Sequence, residues 1–189
     1  MEAFFVSTGV VVLSEMGDKT QLLALLLAVR FRRPLPIIAG IFAATIINHT
    51  IAGAVGTWIT AAVGPHVLRW LLGASFIGMA IWALVPDKLD SEESKIARFG
   101  VFGTTVLAFF LAEMGDKTQI ATVALAAKYS AVYSVVAGTT FGMMLADVPA
   151  VLLGERVTKM VPARAIRVIA AVVFLILGAM ALLNVGCLL

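Results

Sequence analysis

The sequence contains little charge and almost no cysteine. Only 13% of its 189 residues are charged, whereas 61% are hydrophobic and the mean hydropathy is +1.05. A soluble domain is typically about 25% charged and about 45–50% apolar, so this composition argues against one soluble core and predicts a protein surrounded by lipid. The single cysteine, Cys187, leaves neither an internal disulfide nor a cysteine-based metal site.

The sequence also offers few residues for enzymatic chemistry. Its two histidines, His49 and His66, lie in different segments and do not form the His-Glu-x-x-His pair of a membrane metalloprotease, so we do not expect an enzyme. The net charge of +3 does not indicate nucleic acid as a partner, because the basic residues lie between apolar segments. The first residues lack the Lys/Arg region of a signal peptide, and we expect them to belong to the mature protein.

Six apolar stretches fit the thickness of a lipid bilayer. A hydrocarbon core of about 30 Å needs about 20 helical residues. The acidic, polar run from Pro86 to Arg98 separates the third stretch from the fourth and is expected to be a solvated linker. The predicted fold class is therefore an all-α integral membrane protein with six transmembrane helices. The stretches cover approximately residues 3–29, 35–62, 66–85, 99–127, 131–154 and 163–185.

The basic residues predict how the chain is oriented in the membrane. They concentrate in the connections after the first, third and fifth stretches, which all fall on one side. The positive-inside bias places that side, with the acidic central loop, in the cytoplasm and both termini outside. The residues are Arg30, Arg32, Arg33, Lys88, Lys95, Arg98, Arg156, Lys159, Arg164 and Arg167.

The chain contains an internal repeat. Residues 15–21 and 113–119 both read Glu-Met-Gly-Asp-Lys-Thr-Gln, and a shift of 98 residues aligns the two halves. Each half holds three spans, and because three is odd, the second half enters the membrane from the opposite side. We therefore predict two inverted three-helix repeats, 1–86 and 99–189, joined by a polar cytoplasmic linker at 87–98.

The motif places two carboxylates of each repeat about halfway along a predicted span. Ionisable groups at that depth are costly and usually mark ion or proton pathways. In a continuous helix the spacing of three residues presents both acids on one face, and inverted symmetry can bring the two faces together. Carboxylate oxygens suit hard cations such as Ca²⁺, Mn²⁺ or Mg²⁺. The predicted metal ligands are Glu15, Asp18, Glu113 and Asp116.

Further residues, inside the motifs and in the predicted spans that follow them, are candidates for the ion site or for proton coupling. Gly17 and Gly115 either free a carbonyl for coordination or allow close helix packing. For His49 we expect a structural, hydrogen-bonded role more than a transport role. The further candidates are the oxygen donors Gln21, Gln119, Thr20 and Thr118, the counter-charges Lys19 and Lys117, and Asp147 as an additional ligand or proton carrier.

The same carboxylates suggest coupled transport. Acids that bind a divalent cation also bind protons, so that two protons replacing one cation keep the charge of the site balanced. Antiport is therefore the expected mechanism, with either H⁺ or Na⁺ as the counter-ion. A second possibility is an exporter of an amino acid or another cationic organic solute, whose amine the four acids would bind.

The doubled pattern Glu-x-Gly-Asp-Lys-Thr at 15–20 and 113–118 resembles a family of small two-repeat Ca²⁺/Mn²⁺ exporters. That family includes Golgi calcium/manganese transporters and bacterial manganese exporters, and it is similar in architecture to the lysine-exporter superfamily. The resemblance spans essentially the whole chain. It implies exchange of Mn²⁺ or Ca²⁺ for protons across a bacterial plasma membrane, with the four motif acids as ligands and Mn²⁺ favoured.

Overall fold

The computed structural model describes residues 1–85, 99–153 and 163–183. These residues form eight α-helices and no strand, which confirms the all-α prediction for the described part of the chain. The predicted linker at 87–98 lies outside the described residues. The helices are α1 (Glu2–Glu15), α2 (Lys19–Phe31), α3 (Pro34–Ala62), α4 (Pro65–Ala83), α5 (Gly100–Glu113), α6 (Lys117–Tyr129), α7 (Val132–Leu153) and α8 (Ala163–Leu183).

The first and fourth predicted spans are each broken in two at the motif. Helix α1 ends at Glu15 and α2 begins at Lys19, while α5 ends at Glu113 and α6 begins at Lys117. Gly17 has φ +79° and Gly115 has φ +74°, a left-handed conformation that interrupts an α-helix and that glycine adopts without a steric penalty. The structure thus differs from the expectation of one continuous helix through each motif.

Three helices are long and apolar enough to cross a membrane, judged by length and composition alone. They are Pro34–Ala62, His66–Ala83 and Val132–Leu153, and Gly100–Glu113 and Val168–Leu183 are shorter apolar helices among the described residues. The ends of α3, α4 and α7 agree with the predicted stretches to within two residues. The break at each motif explains why the first and fourth predicted stretches do not appear as single long helices.

Helices of the two sequence repeats pack against each other. Helix α1 lies against α7, and its counterpart α5 lies against α3. Equivalent glycines allow the close approach: a Cβ on Gly138 would stand 2.4 Å from the backbone oxygen of Phe4, and one on Gly40 would stand 3.0 Å from the backbone oxygen of Phe102. These two contacts are related by the shift of 98 residues, so α1 packs against α7 in the same way as α5 packs against α3.

Candidate functional site

Three of the four predicted acids meet in one buried cluster. One carboxylate oxygen from each of Glu15, Asp18 and Asp116 lies within 4.8 Å of the other two. All three side chains are buried, with relative exposures of 0%, 2% and 1%. We call this group the three-acid cluster. It draws ligand atoms from both sequence repeats, whereas the fourth acid, Glu113, is buried but does not belong to it.

The helix breaks place these acids. Asp18 and Asp116 are the N-cap residues of α2 and α6, where unpaired backbone N–H groups and the helix dipole favour negative charge. Asp116 also accepts a hydrogen bond from the backbone N–H of Lys117, at 2.7 Å from Oδ1. Because both breaks leave an aspartate at the start of a half-helix, the local fold aims two carboxylates at the same buried space.

Two glutamines hold the breaks in shape. The backbone N–H of Gly17 donates to Oε1 of Gln21 at 3.0 Å, and that of Gly115 donates to Oε1 of Gln119 at 2.8 Å. Gln21 also donates from Nε2 to the backbone oxygen of Ala146 at 3.1 Å, which ties the first motif to α7. Both amide oxygens therefore bond to the backbone in this structure, and a role as ion donors stays a prediction.

Each motif lysine pairs with the aspartate of the other repeat. Nζ of Lys117 lies 2.9 Å from Oδ1 of Asp18, and Nζ of Lys19 lies 3.6 Å from Oδ2 of Asp116. Both lysines therefore pair with a carboxylate in this structure. The two pairs differ in burial, because the Lys117 side chain is 3% exposed and the Lys19 side chain is 25% exposed.

The motif threonines both bond to Glu15. Thr118, from the second repeat, donates from Oγ1 to Oε1 of Glu15 at 2.8 Å. Thr20, from the first repeat, donates to Oε2 of the same carboxylate. Both hydroxyls therefore orient a carboxylate of the three-acid cluster, and their oxygens keep lone pairs that can face a cation.

The closest polar contacts of Glu113 come from α3. Asn48 donates from Nδ2 to Oε2 at 3.5 Å, and Thr45 donates from Oγ1 to Oε1 at 3.4 Å. Nε2 of His49 is 3.9 Å from Oε2. Sequence reasoning missed Thr45, although its position three and four residues before Asn48 and His49 puts all three on one face of a helix.

Asp147 occupies in α7 the place that His49 occupies in α3, 98 residues earlier. It is 0% exposed, and neither of its carboxylate oxygens has a hydrogen-bond partner in the described part of the chain. The bond from Gln21 to Ala146 sets this part of α7 beside the first motif. Met143 and Ala146 replace the polar residues of α3, so the two halves of the site are chemically unequal.

Comparison of the sequence with known proteins shows which family it matches. Residues 3–91 and 101–186 match the family model described as "Divalent cation/proton antiporter GDT1". A protein of Vibrio cholerae named "Putative manganese exporter" is 49% identical over 179 residues, covering 94% of this chain and 89% of the relative. A GDT1-like protein of Synechocystis is 29% identical, covering 92% of this chain and 93% of its own length. "GDT1-like protein 5" of Arabidopsis thaliana is 28% identical, covering 97% and 96%. No solved structure shows significant similarity to the chain.

Proposed function

Because this chain belongs to the GDT1 family of divalent cation/proton antiporters, we propose that it exports Mn²⁺ in exchange for protons through a site formed by both motifs. The resemblance predicted from the doubled motif is thereby confirmed. The family is one of transporters, so the chain is a membrane transport protein and not an enzyme.

The observation that carries the proposed site is the three-acid cluster. Its oxygens lie within 4.8 Å of one another, come from both repeats and are shielded from solvent. Hard divalent cations are bound by several carboxylate and carbonyl oxygens, and buried carboxylates so close together repel one another unless a cation lies between them. A divalent cation therefore suits this position better than a neutral solute does.

The choice of Mn²⁺ over Ca²⁺ is supported by the relative from Vibrio cholerae, whose name refers to manganese and which is 49% identical. The three-acid cluster by itself binds either ion, because both accept carboxylate oxygens. The family description supports protons as the counter-ion. The alternative is Na⁺, and an experiment can distinguish the two counter-ions.

The lysine pairs suggest how the site works without its cation. The Asp18–Lys117 and Asp116–Lys19 pairs neutralise two carboxylates across the boundary between the repeats. A divalent cation that binds both aspartates displaces both ammonium groups and changes the contacts that join the repeats. When the cation leaves, protons and the lysines neutralise the acids again, so that cation and proton occupy the site in turn.

The proposed architecture is six spans in two inverted repeats, with α1 and α2 together forming the first span and α5 and α6 the fourth. The interrupted spans resemble the discontinuous helices of secondary transporters, whose sites lie near the bilayer midplane where repeats meet. Alternating access would then be a rocking of one repeat against the other. We place the protein in a bacterial plasma membrane, with the central linker in the cytoplasm and both termini outside.

The test is transport in proteoliposomes with an imposed pH gradient, comparing Mn²⁺ with Ca²⁺. Wild-type protein should drive Mn²⁺ uphill, whereas Glu15→Gln and Asp116→Asn should lower the flux at least about tenfold. Glu2→Gln is a matched control, because Glu2 is an exposed acid outside the cluster, and it should leave transport unchanged. A Na⁺ gradient in place of the pH gradient distinguishes the counter-ions.

Two outcomes contradict the proposal. If the cluster variants transport Mn²⁺ as fast as the wild type, the cluster is not the transport site. If the wild type moves neither metal, the protein exports another solute, and a cationic amino acid is the next substrate to assay.

A further inference from the structure

His49 is a buried histidine without a hydrogen bond. Its side chain is 0% exposed, and neither Nδ1 nor Nε2 has a hydrogen-bond partner in the described residues. Its neighbour Asn48 likewise has an unpartnered Oδ1. Unpaired polar atoms in an apolar interior are costly, and native structures rarely keep them without a function. The hydrogen bond expected for His49 is therefore absent among the described residues.

The distance from His49 to Glu113 fits two ligands of one ion. Nε2 and Oε2 are 3.9 Å apart, which is too long for a direct hydrogen bond. Metal–nitrogen and metal–oxygen distances are about 2.0–2.5 Å, so an ion lying between the two atoms can contact both. Asn48, one residue before His49 on the same helix, also contacts this carboxylate, since its Nδ2 lies 3.5 Å from Oε2.

We infer that His49 is a nitrogen ligand for the transported cation, acting with Glu113, and that it selects a first-row transition cation such as Mn²⁺ against Ca²⁺ and Mg²⁺. This inference rests on the proposed function and specifies how its substrate is chosen. It also gives a role to Glu113, which lies outside the three-acid cluster: Glu113 binds the cation together with His49.

The selectivity follows from ligand chemistry. Ca²⁺ and Mg²⁺ take oxygen ligands almost exclusively. Mn²⁺ also prefers carboxylate oxygens, but as a first-row transition cation it accepts an imidazole nitrogen beside them. The three-acid cluster supplies only oxygen and so cannot separate the two classes of cation. The residue equivalent to His49 in the second repeat is Asp147, another oxygen donor. His49 is thus the nitrogen donor that makes one side of the site different from the other.

Magnetic resonance tests the ligand directly, because Mn²⁺ is paramagnetic. Purified protein loaded with Mn²⁺ should show electron spin echo modulation from a bound ¹⁴N, replaced by a ¹⁵N pattern when histidine is isotopically labelled. The chain has only two histidines, and the other, His66, is exposed at the start of α4. The signal should persist in His66→Gln and disappear in His49→Gln.

A transport assay supplies an independent readout. His49→Gln places an amide oxygen near the position of Nε2, so the preference for Mn²⁺ over Ca²⁺ should fall about tenfold while Ca²⁺ flux persists. Equal losses for both ions would mean that His49 acts only on the structure. Wild-type protein that binds and transports Mn²⁺ without histidine modulation overturns the role of His49 and leaves the proposed function standing. Wild-type protein that binds no Mn²⁺ overturns both.

Discussion

Replacing Lys117 by methionine tests the ion pairs that join the two repeats. The substitution keeps the length of the side chain and removes its charge. Lys117 lies 2.9 Å from Asp18, and both side chains are almost completely buried. Without the ammonium group, Asp18 loses a counter-charge in a region with little water to replace it.

The size of the effect follows from burial. Removing one partner of a buried ion pair typically destabilises a protein by about 3–5 kcal/mol, because the other charge stays buried. The equivalent pair is longer, at 3.6 Å, and its Lys19 side chain is 25% exposed, so that interaction is weaker. We therefore expect Lys117→Met to lower the free energy of unfolding by about 3 kcal/mol and Lys19→Met by about 1 kcal/mol.

The assay is unfolding in mixed detergent micelles with a chelator present. Lys19→Met is a matched control, since it is the same substitution at the equivalent position of the other repeat. The double variant Asp18→Asn/Lys117→Met removes both charges and should be more stable than Lys117→Met alone. Saturating Mn²⁺ should reduce the penalty in Lys117→Met, because the cation neutralises Asp18 in place of the lysine.

Two results would refute this reasoning. Equal penalties for the two lysine variants would show that the difference in burial between the pairs has no energetic effect. A double variant whose loss equals the sum of the single losses would show that Lys117 and Asp18 are not coupled.

Four further predictions use the same unfolding assay. Gly115→Ala should cost about 1–2 kcal/mol from its left-handed backbone alone, since the new Cβ meets nothing within 4 Å. Gly56→Ala should lower the free energy of unfolding by about 3 kcal/mol, because its Cβ would lie 2.4 Å from the backbone oxygen of Val123. A larger loss for Gly115→Ala than for Gly56→Ala would contradict the packing described. Gln119→Ala should cost about 1 kcal/mol and speed hydrogen exchange at the Gly115 amide, and unchanged exchange would show that the 2.8 Å bond does not protect it. Asp147→Leu should raise the free energy of unfolding by about 1 kcal/mol in metal-free protein, because it removes two buried polar atoms without partners, and a decrease would reveal a partner.

The helical fold could be predicted from the sequence in most respects. The apolar stretches predicted the ends of α3, α4 and α7 to within two residues, since each stretch is long enough to span lipid and its helix ends where the stretch ends. The seven-residue identity predicted that the motifs meet, and the structure brings Glu15, Asp18 and Asp116 together. The break at each motif was indicated only by Gly17 and Gly115, and a glycine in a sequence also fits plain helix packing.

The finer arrangement of the site depends on tertiary contacts that a single sequence does not display. The rule that residues three apart share a face applies to a continuous helix, and it no longer applies once Gly17 or Gly115 turns the chain. The continuous-helix rule predicted that Glu113 would join the other acids. In the structure the chain turns at Gly115, and Glu113 contacts α3 instead. Thr45 was missed despite its helical spacing to Asn48 and His49, because a threonine in an apolar helix usually bonds to its own backbone.

The packing of α1 against α7 and of α5 against α3 has a consequence for how the chain assembles. Within each half the helices contact one another sparsely, and most of the surface that a half buries is covered by the other half. Among the described residues, neither half therefore has a hydrophobic core of its own, and each core cluster contains residues from both halves. During synthesis the packing surfaces of the first half stay uncovered until the second half is made, so the two motifs can meet only when both halves are present.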